Sequence, residues 1–228
     1  MIETAFFYAA GLGTRMRPLT EDRPKPLIEL AGKTLLEHAI DPARAAGITK
    51  FATNIHYLAD QIKEHPATRN FVIFDEREKL LETGGGLKAA TAILGVAPLF
   101  TMNTDAVWKG ENPFQKLDKH WEHSKMDALL LLVPTSKARG YSGKGDFELG
   151  GNGEIRRGNG FVYTGCQIID PSGLSDFEDS VFSTNLYWDR LAQKGRLFGL
   201  VYDGLWCDVG KPDSIAIAEN MLKEATDV

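Results

Sequence analysis

The amino-acid sequence predicts an α/β fold in which helices flank a mixed, mostly parallel sheet. The first observation is that strand-length apolar runs alternate with helix-length amphipathic segments, a pattern typical of βαβ units. The second is an ordinary globular composition, with 43% apolar and 25% charged residues in 228. Because no repeat or Pro/Ser-rich linker interrupts the pattern, we expect one domain over residues 1–228.

The individual elements follow from the apolar pattern in chain order. Strands are predicted at Ala5–Ala10, Phe51–Ile55, Phe71–Phe74, Leu99–Met102, Asp127–Val133, Phe161–Ile169 and Leu197–Tyr202. Helices are predicted at Leu35–Ala46, Leu58–His65, Leu87–Leu94, Asn112–His123, Thr184–Lys194 and Asp213–Glu224. Pro42 lies inside the first helical pattern and predicts a break or a late start there, since proline cannot donate the helical hydrogen bond.

Glycine is the one unusual feature of the composition. The chain has 23 glycines in 228 residues, about 10% against a usual ~7%. Nine of them lie between Gly140 and Gly165, where the long apolar strands end. We therefore expect two halves, residues 1–133 and 134–228, with the second half supplying loops over the first.

Charge and cysteine usage argue against nucleic-acid binding, membrane binding and a cysteine metal site. A formal net charge of −5 gives no reason to expect nucleic acid or a membrane as a partner. Cys166 and Cys207 have no metal-binding spacing, so we interpret them as reduced, buried thiols of a cytoplasmic protein. The N-terminus lacks the basic region of a signal peptide and its apolar run is too short to span a membrane.

A glycine-containing loop directly follows the first predicted strand. Gly11 and Gly13 would let backbone N–H groups approach an anion closely, and Arg15 and Arg17 suit phosphate oxygens. The loop lacks the Gly-Lys-Ser/Thr of a P-loop, and Met16 stands where a dinucleotide fingerprint needs its third glycine. A tight turn with solvated arginines remains an alternative.

Lys25 follows this loop in the run Arg23–Leu27. Prolines at 24 and 26 restrict the backbone on both sides of the lysine, which favours a fixed position for its ammonium group. A lysine held in this way beside the loop favours a phosphate-binding loop over a simple tight turn.

Two aspartates are candidate ligands of a metal ion. Asp105 comes just after the strand Leu99–Met102 and Asp208 ends a later strand, and open α/β sheets bind ligands at such strand ends. For either aspartate alone, a helix cap or turn residue is the simpler interpretation.

The run Ala9–Thr20 together with Pro24–Leu27 resembles the signature of the sugar-1-phosphate nucleotidyltransferases. The resemblance extends through Ala31–Glu37, Asn54–His56, Leu81–Gly86, Asn103–Asp105 and Trp206–Pro212. The Glu-Thr-Gly-Gly-Gly and Asn-x-His runs are most similar to the short bacterial N-acetylmuramate-1-phosphate uridylyltransferases. The resemblance implies the Rossmann-like fold of nucleotide-diphospho-sugar transferases, with nucleotide bound by residues 1–133 and sugar phosphate by 134–228.

The resemblance also implies roles for individual residues. Asp105 and Asp208 would hold Mg²⁺, and Arg15 and Lys25 would act on the reacting phosphates. The nucleotide would be bound by Ala9, Ala10, Gly11, Gly13, Thr14, Thr83, Gly84 and Asn103. The sugar would be bound by Asp146, Asn159, Tyr163, Thr164 and Gly165. The sequence has no clear Glu-Lys pair of the kind that many larger relatives use on the sugar phosphate; either Arg156 or Arg157 replaces it, or both are solvated strand residues.

The implied reaction is Mg²⁺-dependent transfer of a nucleotidyl group from an NTP to a sugar 1-phosphate, and UTP with N-acetylmuramate 1-phosphate is favoured. Guanylyl transfer to mannose or heptose 1-phosphate is an alternative, and a non-catalytic sugar-nucleotide sensor is an alternative of another class. Tyr8 and Thr104 depart from the family pattern close to the nucleotide. The oligomeric state, monomer or dimer, stays open.

Overall fold

The computed structural model describes residues 2–224. Its strands are β1 (Thr4–Tyr8), β2 (Glu29–Leu30), β3 (Lys33–Thr34), β4 (Lys50–Ile55), β5 (Val72–Asp75), β6 (Leu99–Asn103), β7 (Ala106–Lys109), β8 (Ala128–Pro134), β9 (Ala138–Arg139), β10 (Phe147–Leu149), β11 (Ile155–Arg157), β12 (Phe161–Ile169), β13 (Leu197–Val201) and β14 (Leu205–Asp208). Its α-helices are α1 (Leu35–Ala45), α2 (Ala59–Glu64), α3 (Glu82–Leu94), α4 (Pro113–His120), α5 (Thr184–Gln193) and α6 (Asp213–Lys223).

The main sheet has the strand order β13-β8-β12-β6-β1-β4-β5. Strands β6, β1, β4 and β5 are parallel, and β12 runs antiparallel between β6 and β8. Strand β13 pairs with β8 in parallel. The predicted mixed, mostly parallel sheet is therefore confirmed, and it brings the carboxyl ends of β1, β4 and β6 to one edge.

Helices cover both faces of the parallel strands. Phe6 and Phe7 are neighbours on β1 and point to opposite faces, yet both are completely buried. Burial on both sides explains why β1 is a continuous apolar run rather than an alternating one.

Helix α1 corrects the prediction for Pro42. The helix begins at Leu35, capped by reciprocal hydrogen bonds between Thr34 and Glu37, and it continues through Pro42 to Ala45. The buried face that includes Ile40 and Ala43 offsets the one backbone hydrogen bond that the proline removes. The prediction of a break or late start was wrong.

The glycine-rich stretch 140–165 contains more than loops. Strands β10 and β11 form an antiparallel hairpin within it, and Phe147 of β10 pairs with Phe161 of β12. The hairpin therefore extends the main sheet on the side of the second half.

A small sheet of order β7-β14-β9 lies next to the carboxyl end of β6. Strand β14 pairs antiparallel with β7, so that Asp208 lies opposite Ala106. The N–H of Val209 donates to the carbonyl of Asp105 at 2.8 Å. This pairing places Asp208 beside Asp105, although 103 positions separate them in the chain.

Cys166 and Cys207 are buried and form no disulfide, as expected for small buried thiols. Within residues 2–224, every helix is too short or too polar to cross a membrane.

Candidate active site

A cleft opens at the carboxyl ends of β1, β4 and β6, and three adjoining cavities form it. The central cavity, of about 380 Å³, is lined by Ala9, Ala10, Gly11, Lys25, Thr83, Asn103 and Asp105 among the predicted site residues. The loop cavity, of about 330 Å³, is lined by Gly11, Gly13, Thr14, Arg15, Lys25 and Asp105. The far cavity, of about 270 Å³, is lined by Thr83, Asn103, Asp146 and Tyr163. Most of the predicted site residues thus lie along one cleft.

Hydrogen bonds to Gly13 and the buried side chain of Met16 stabilise the turn in the glycine loop. Gly13 has a φ of 63°, in the left-handed region that favours glycine. Its carbonyl accepts hydrogen bonds from the Thr20 hydroxyl and the Met16 N–H, each at 2.9 Å. The buried Met16 side chain anchors the turn, while no atom lies within 4 Å of a Cβ built on Gly11. The loop therefore leaves open space on its Gly11 side, where an anion could approach the backbone.

Lys25 reaches from the turn Lys25–Leu27, which follows the glycine loop in the chain, to the end of β6. Its Nζ lies 2.8 Å from Oδ2 of Asp105, and the lysine side chain is 12% exposed. Pro26 is buried directly after it, so the lysine starts from a fixed backbone. The structure thus puts a cation and a carboxylate in contact where the central and loop cavities meet.

Asp208 adds a second carboxylate beside Asp105, although it lines neither the central nor the loop cavity itself. Burial and the nearby charge of Asp105 raise the pKa of Asp208 to about 6, although Lys25 and Arg15 act in the opposite direction. A carboxylate whose charge is disfavoured by a neighbouring carboxylate is a suitable place for a hard divalent cation.

The donor set fits Mg²⁺, which prefers oxygen ligands and takes one or two carboxylates together with substrate phosphates and water. Within residues 2–224, no group of three or more His, Cys, Asp or Glu side chains could hold a metal ion. A cation bound by Asp105 and Asp208 would therefore need its remaining ligands from the substrate and from water.

A buried polar chain connects β1, β4 and α3. Oδ1 of Asn54 accepts from the N–H of Ala9 at 3.0 Å, and its Nδ2 donates to Oε1 of Glu76 at 2.8 Å. Oε2 of Glu76 accepts from the N–H of Leu81 at 3.0 Å. Glu76 is only 5% exposed. These buried hydrogen bonds fix the start of the glycine loop relative to the residues before α3.

Substituting Glu76→Gln is expected to lower the free energy of unfolding by about 1–3 kcal/mol, because the amide cannot accept from both Asn54 and Leu81 and leaves a buried donor unpaired. Urea denaturation of the variant measures the effect. The exposed Glu78 two residues away provides the control, and Glu78→Gln should match the wild type. Equal stability of both variants would show that the hydrogen bonds of Glu76 do not stabilise the fold.

Helix α3 begins earlier than predicted. It starts at Glu82 and includes Gly84–Gly86, so the predicted start at Leu87 was wrong. The N–H groups of Gly84 and Gly85 both donate to the carbonyl of Phe182, and a Cβ on Gly85 would lie 2.2 Å from the carbonyl oxygen of Ser180. These glycines bring the helix start against the segment 180–184, and the N–H of Gly84 is already bonded.

Glu82 has a φ of 60°, which is rare for a residue with a side chain, and it lines the central cavity. The hydroxyl of Thr83 accepts from the N–H of Thr184 at 3.0 Å. The start of α3 thus meets the start of α5 at the boundary between the central and far cavities.

The far cavity contains buried hydroxyls without partners. Among the described residues, Tyr8, Tyr163 and Thr184 each have a buried side-chain oxygen that makes no hydrogen bond. Burial raises the pKa of both tyrosines, which keeps them neutral donors. Oδ2 of Asp146 accepts from the N–H of Tyr163 at 2.9 Å. Unpaired buried polar groups are costly, so this cavity is suited to a polar ligand.

Three residues predicted to bind sugar do not line the cleft. Asn159 is exposed outside the three cavities. The hydroxyl of Thr164 donates to the carbonyl of Leu131 inside the sheet at 2.6 Å. Gly165 has a φ of 89°, and a Cβ there would lie 2.9 Å from Cβ of Asn103. Gly165 thus permits Asn103 to pack against β12 rather than offering a group to a ligand.

Comparison with known proteins decides the family. The profile described as "Nucleotidyl transferase" matches residues 5–157. An N-acetylmuramate alpha-1-phosphate uridylyltransferase of Caulobacter vibrioides is 41% identical, over 97% of both chains. The chain belongs to the nucleotidyl transferase family. This confirms the resemblance to sugar-1-phosphate nucleotidyltransferases.

A second relative and a solved structure are also similar to this nucleotidyl transferase over most of its length. An N-acetylmuramate alpha-1-phosphate uridylyltransferase of Neisseria meningitidis is 32% identical over 90% of this chain and 92% of its own length. The crystal structure of HddC from Yersinia pseudotuberculosis, complexed with GMP-PN, superposes with a TM-score of 0.78 over 97% of this chain and 100% of that one. At 22% identity, this structural similarity shows that the two proteins share a fold.

The two residues that depart from the family pattern, Tyr8 and Thr104, both line the central cavity of this nucleotidyl transferase. The Thr104 hydroxyl donates to the carbonyl of Tyr8 at 2.8 Å and thereby ties the end of β6 to the end of β1. Tyr8 lines both the central and the far cavity. Nothing in the sequence pointed to a role for Glu76 or Thr184 at the cleft, whereas Glu82 lies within the Leu81–Gly86 run that carries the resemblance.

Proposed function

We propose that this protein transfers the uridylyl group of UTP to N-acetylmuramate 1-phosphate, with Mg²⁺, and releases pyrophosphate. The observation that carries the proposal is the 41% identity to the Caulobacter uridylyltransferase across 97% of the chain. The cleft supports it, because Lys25, Asp105 and the glycine loop meet at one point.

The sugar phosphate is already a nucleophile, because a phosphate monoester is largely ionised at pH 7. The protein therefore needs no general base, and its task is to align two polyanions for in-line attack on the α-phosphorus. The glycine loop, with Arg15, binds the β- and γ-phosphates through N–H groups and a guanidinium. Lys25 contacts the α-phosphate and the incoming phosphate, where negative charge develops.

Asp105 and Asp208 are the residues that would hold Mg²⁺. A bound ion would supply positive charge that neutralises the phosphates in the transition state. The Lys25–Asp105 contact of 2.8 Å keeps the lysine beside this position, so that both positive charges act at the reacting phosphates.

We assign the base to the central cavity and the sugar to the far cavity. Ala9, Ala10 and Thr83 line the first, while Asp146 and Tyr163 line the second. This arrangement supports a nucleotide-binding half at 1–133 and an acceptor-binding half at 134–228. The product would be a UDP-sugar of cell-wall recycling, and the two cysteines without a disulfide agree with a cytoplasmic location.

A matrix of pyrophosphate-release assays tests the proposal, with four NTPs against the 1-phosphates of N-acetylmuramate, N-acetylglucosamine, mannose and heptose. UTP with N-acetylmuramate 1-phosphate is expected to have the highest kcat/KM. A higher value for GTP with mannose or heptose 1-phosphate would contradict the proposed substrates and favour a guanylyltransferase. No release with any pair in the presence of Mg²⁺ would favour a non-catalytic sensor.

A further inference from the structure

The far cavity contains one basic side chain among the described residues that line it, that of Arg157, and one carboxylate, that of Asp146. Neither Lys25 nor Asp105 lines this cavity. A cation here is therefore separated from the group that handles the reacting phosphates. A ligand group bound by this guanidinium would therefore be distinct from the reacting phosphates.

The partly exposed side chain of Arg157 on β11 is positioned by contacts with α5 and with two aromatic rings. Its Nε donates to Oδ1 of Asp189 at 2.8 Å, and its Nη2 donates to the carbonyl of Asn185 at 3.1 Å. The guanidinium carbon lies 4.9 Å from the ring centroid of Phe147 and 5.5 Å from that of Trp188. Nη1 has no hydrogen-bond partner within residues 2–224. The guanidinium is thus pre-positioned by two elements and keeps donors for a ligand.

The start of α5 adds a second feature that favours an anion. Ser183, Thr184 and Asn185 line the same cavity, at the end of a ten-residue helix where the helix dipole is positive. The Thr184 hydroxyl is buried there without a partner. The cavity therefore combines a guanidinium, a helix N-terminus and an unpaired buried hydroxyl.

The far cavity shares Tyr8, Thr83, Asn103 and Ser183 with the central cavity. A sugar whose phosphate reaches Lys25 would therefore extend past these residues and present its ring substituents to the far cavity. N-acetylmuramate differs from N-acetylglucosamine by one group, a lactyl ether that ends in a carboxylate. Planar pairing with a carboxylate is the interaction for which a guanidinium is best suited.

We infer that Arg157 binds the lactyl carboxylate of the acceptor and makes the enzyme prefer N-acetylmuramate 1-phosphate over N-acetylglucosamine 1-phosphate. The inference rests on the proposed function. Asp146 faces the same cavity, and Asp189 partly neutralises the guanidinium, so the preference comes from directed hydrogen bonds rather than from net charge. Arg156, its neighbour, instead pairs with Glu148 at 2.7 Å and does not line this cavity.

The test compares Arg157→Met with the wild type at saturating UTP, using both sugar 1-phosphates. Loss of a charge-assisted hydrogen bond is expected to lower kcat/KM for N-acetylmuramate 1-phosphate about 10- to 100-fold, mainly through KM. The preference over N-acetylglucosamine 1-phosphate should fall by the same factor. Methionine retains much of the packing against Phe147 and Trp188, and Arg157→Lys should recover part of the preference.

Arg156→Met is the matched control, and its preference should equal that of the wild type. An Arg157→Met enzyme that loses the same factor with both sugars, or keeps the wild-type preference, would overturn the inference while leaving the proposed function intact. A wild-type enzyme that uses UTP with neither sugar would overturn the proposed function and the inference with it.

Discussion

Asp105→Asn is expected to lower kcat by about two to three orders of magnitude, the range seen when one group that stabilises transition-state charge is removed. Asp105 holds Nζ of Lys25 at 2.8 Å and, in the proposed function, ligates Mg²⁺ together with Asp208. Asparagine has nearly the same shape but no charge, so it weakens both interactions without leaving a void. Pyrophosphate release at saturating UTP and acceptor measures the change.

A second aspartate allows a matched comparison. Asp203 pairs with Lys116 at 2.8 Å, and its side chain is 78% exposed outside the three cavities of the cleft. Asp203→Asn should retain wild-type turnover, and both variants should unfold close to the wild-type temperature. If Asp105→Asn turned over within about threefold of the wild type, a shift of under 1 kcal/mol, the assignment of the reacting centre would be wrong.

Gly85→Ala is expected to destabilise the protein even though alanine is the better helix former by about 1 kcal/mol. The added Cβ would lie 2.2 Å from the carbonyl oxygen of Ser180, a backbone atom that cannot rotate away. Overpacking of this kind costs about 1–3 kcal/mol. The clash should also separate α3 from the segment 180–184, so the amide of Gly84, which donates to Phe182, should exchange its hydrogen faster.

Gly151→Ala is the control for this effect. Gly151 is exposed, and no atom lies within 4 Å of a Cβ built on it, so alanine there should leave the free energy of unfolding unchanged or slightly increased. Urea denaturation of both variants measures the difference. A Gly85→Ala protein as stable as the wild type would show that Ser180 moves freely and that α3 does not depend on this contact.

The strands and helices predicted from periodicity agree with the structure to within a few residues, apart from the start of α3. Strands such as β1 and β12 are apolar over most of their length because both faces of the sheet are covered, and local pattern is sufficient to find them. Strands β7, β9, β10 and β11 have two to four residues each. Such short segments have too few positions for a period to appear.

The candidate site also has one part that local sequence predicts and another part that only long-range contacts form. The glycine loop and Lys25 are close in the chain, so proline and glycine chemistry indicated their relation. The hydrogen bonds that join Asn54, Glu76 and Leu81 depend instead on long-range contacts between a strand end, a loop and a helix start. No local pattern marks Glu76 as buried.

The sequence by itself determined the fold class, the family and the residues of the phosphate-binding end, because those depend on residue types at short spacing. Only the tertiary structure decided which residues border the acceptor. Successive residues of a strand point to opposite faces, and the pairing of β11 with β10 directs Arg156 to Glu148 while Arg157 reaches the far cavity. That choice depends on strand register and on the docking of α5, neither of which is encoded in a short run of residues.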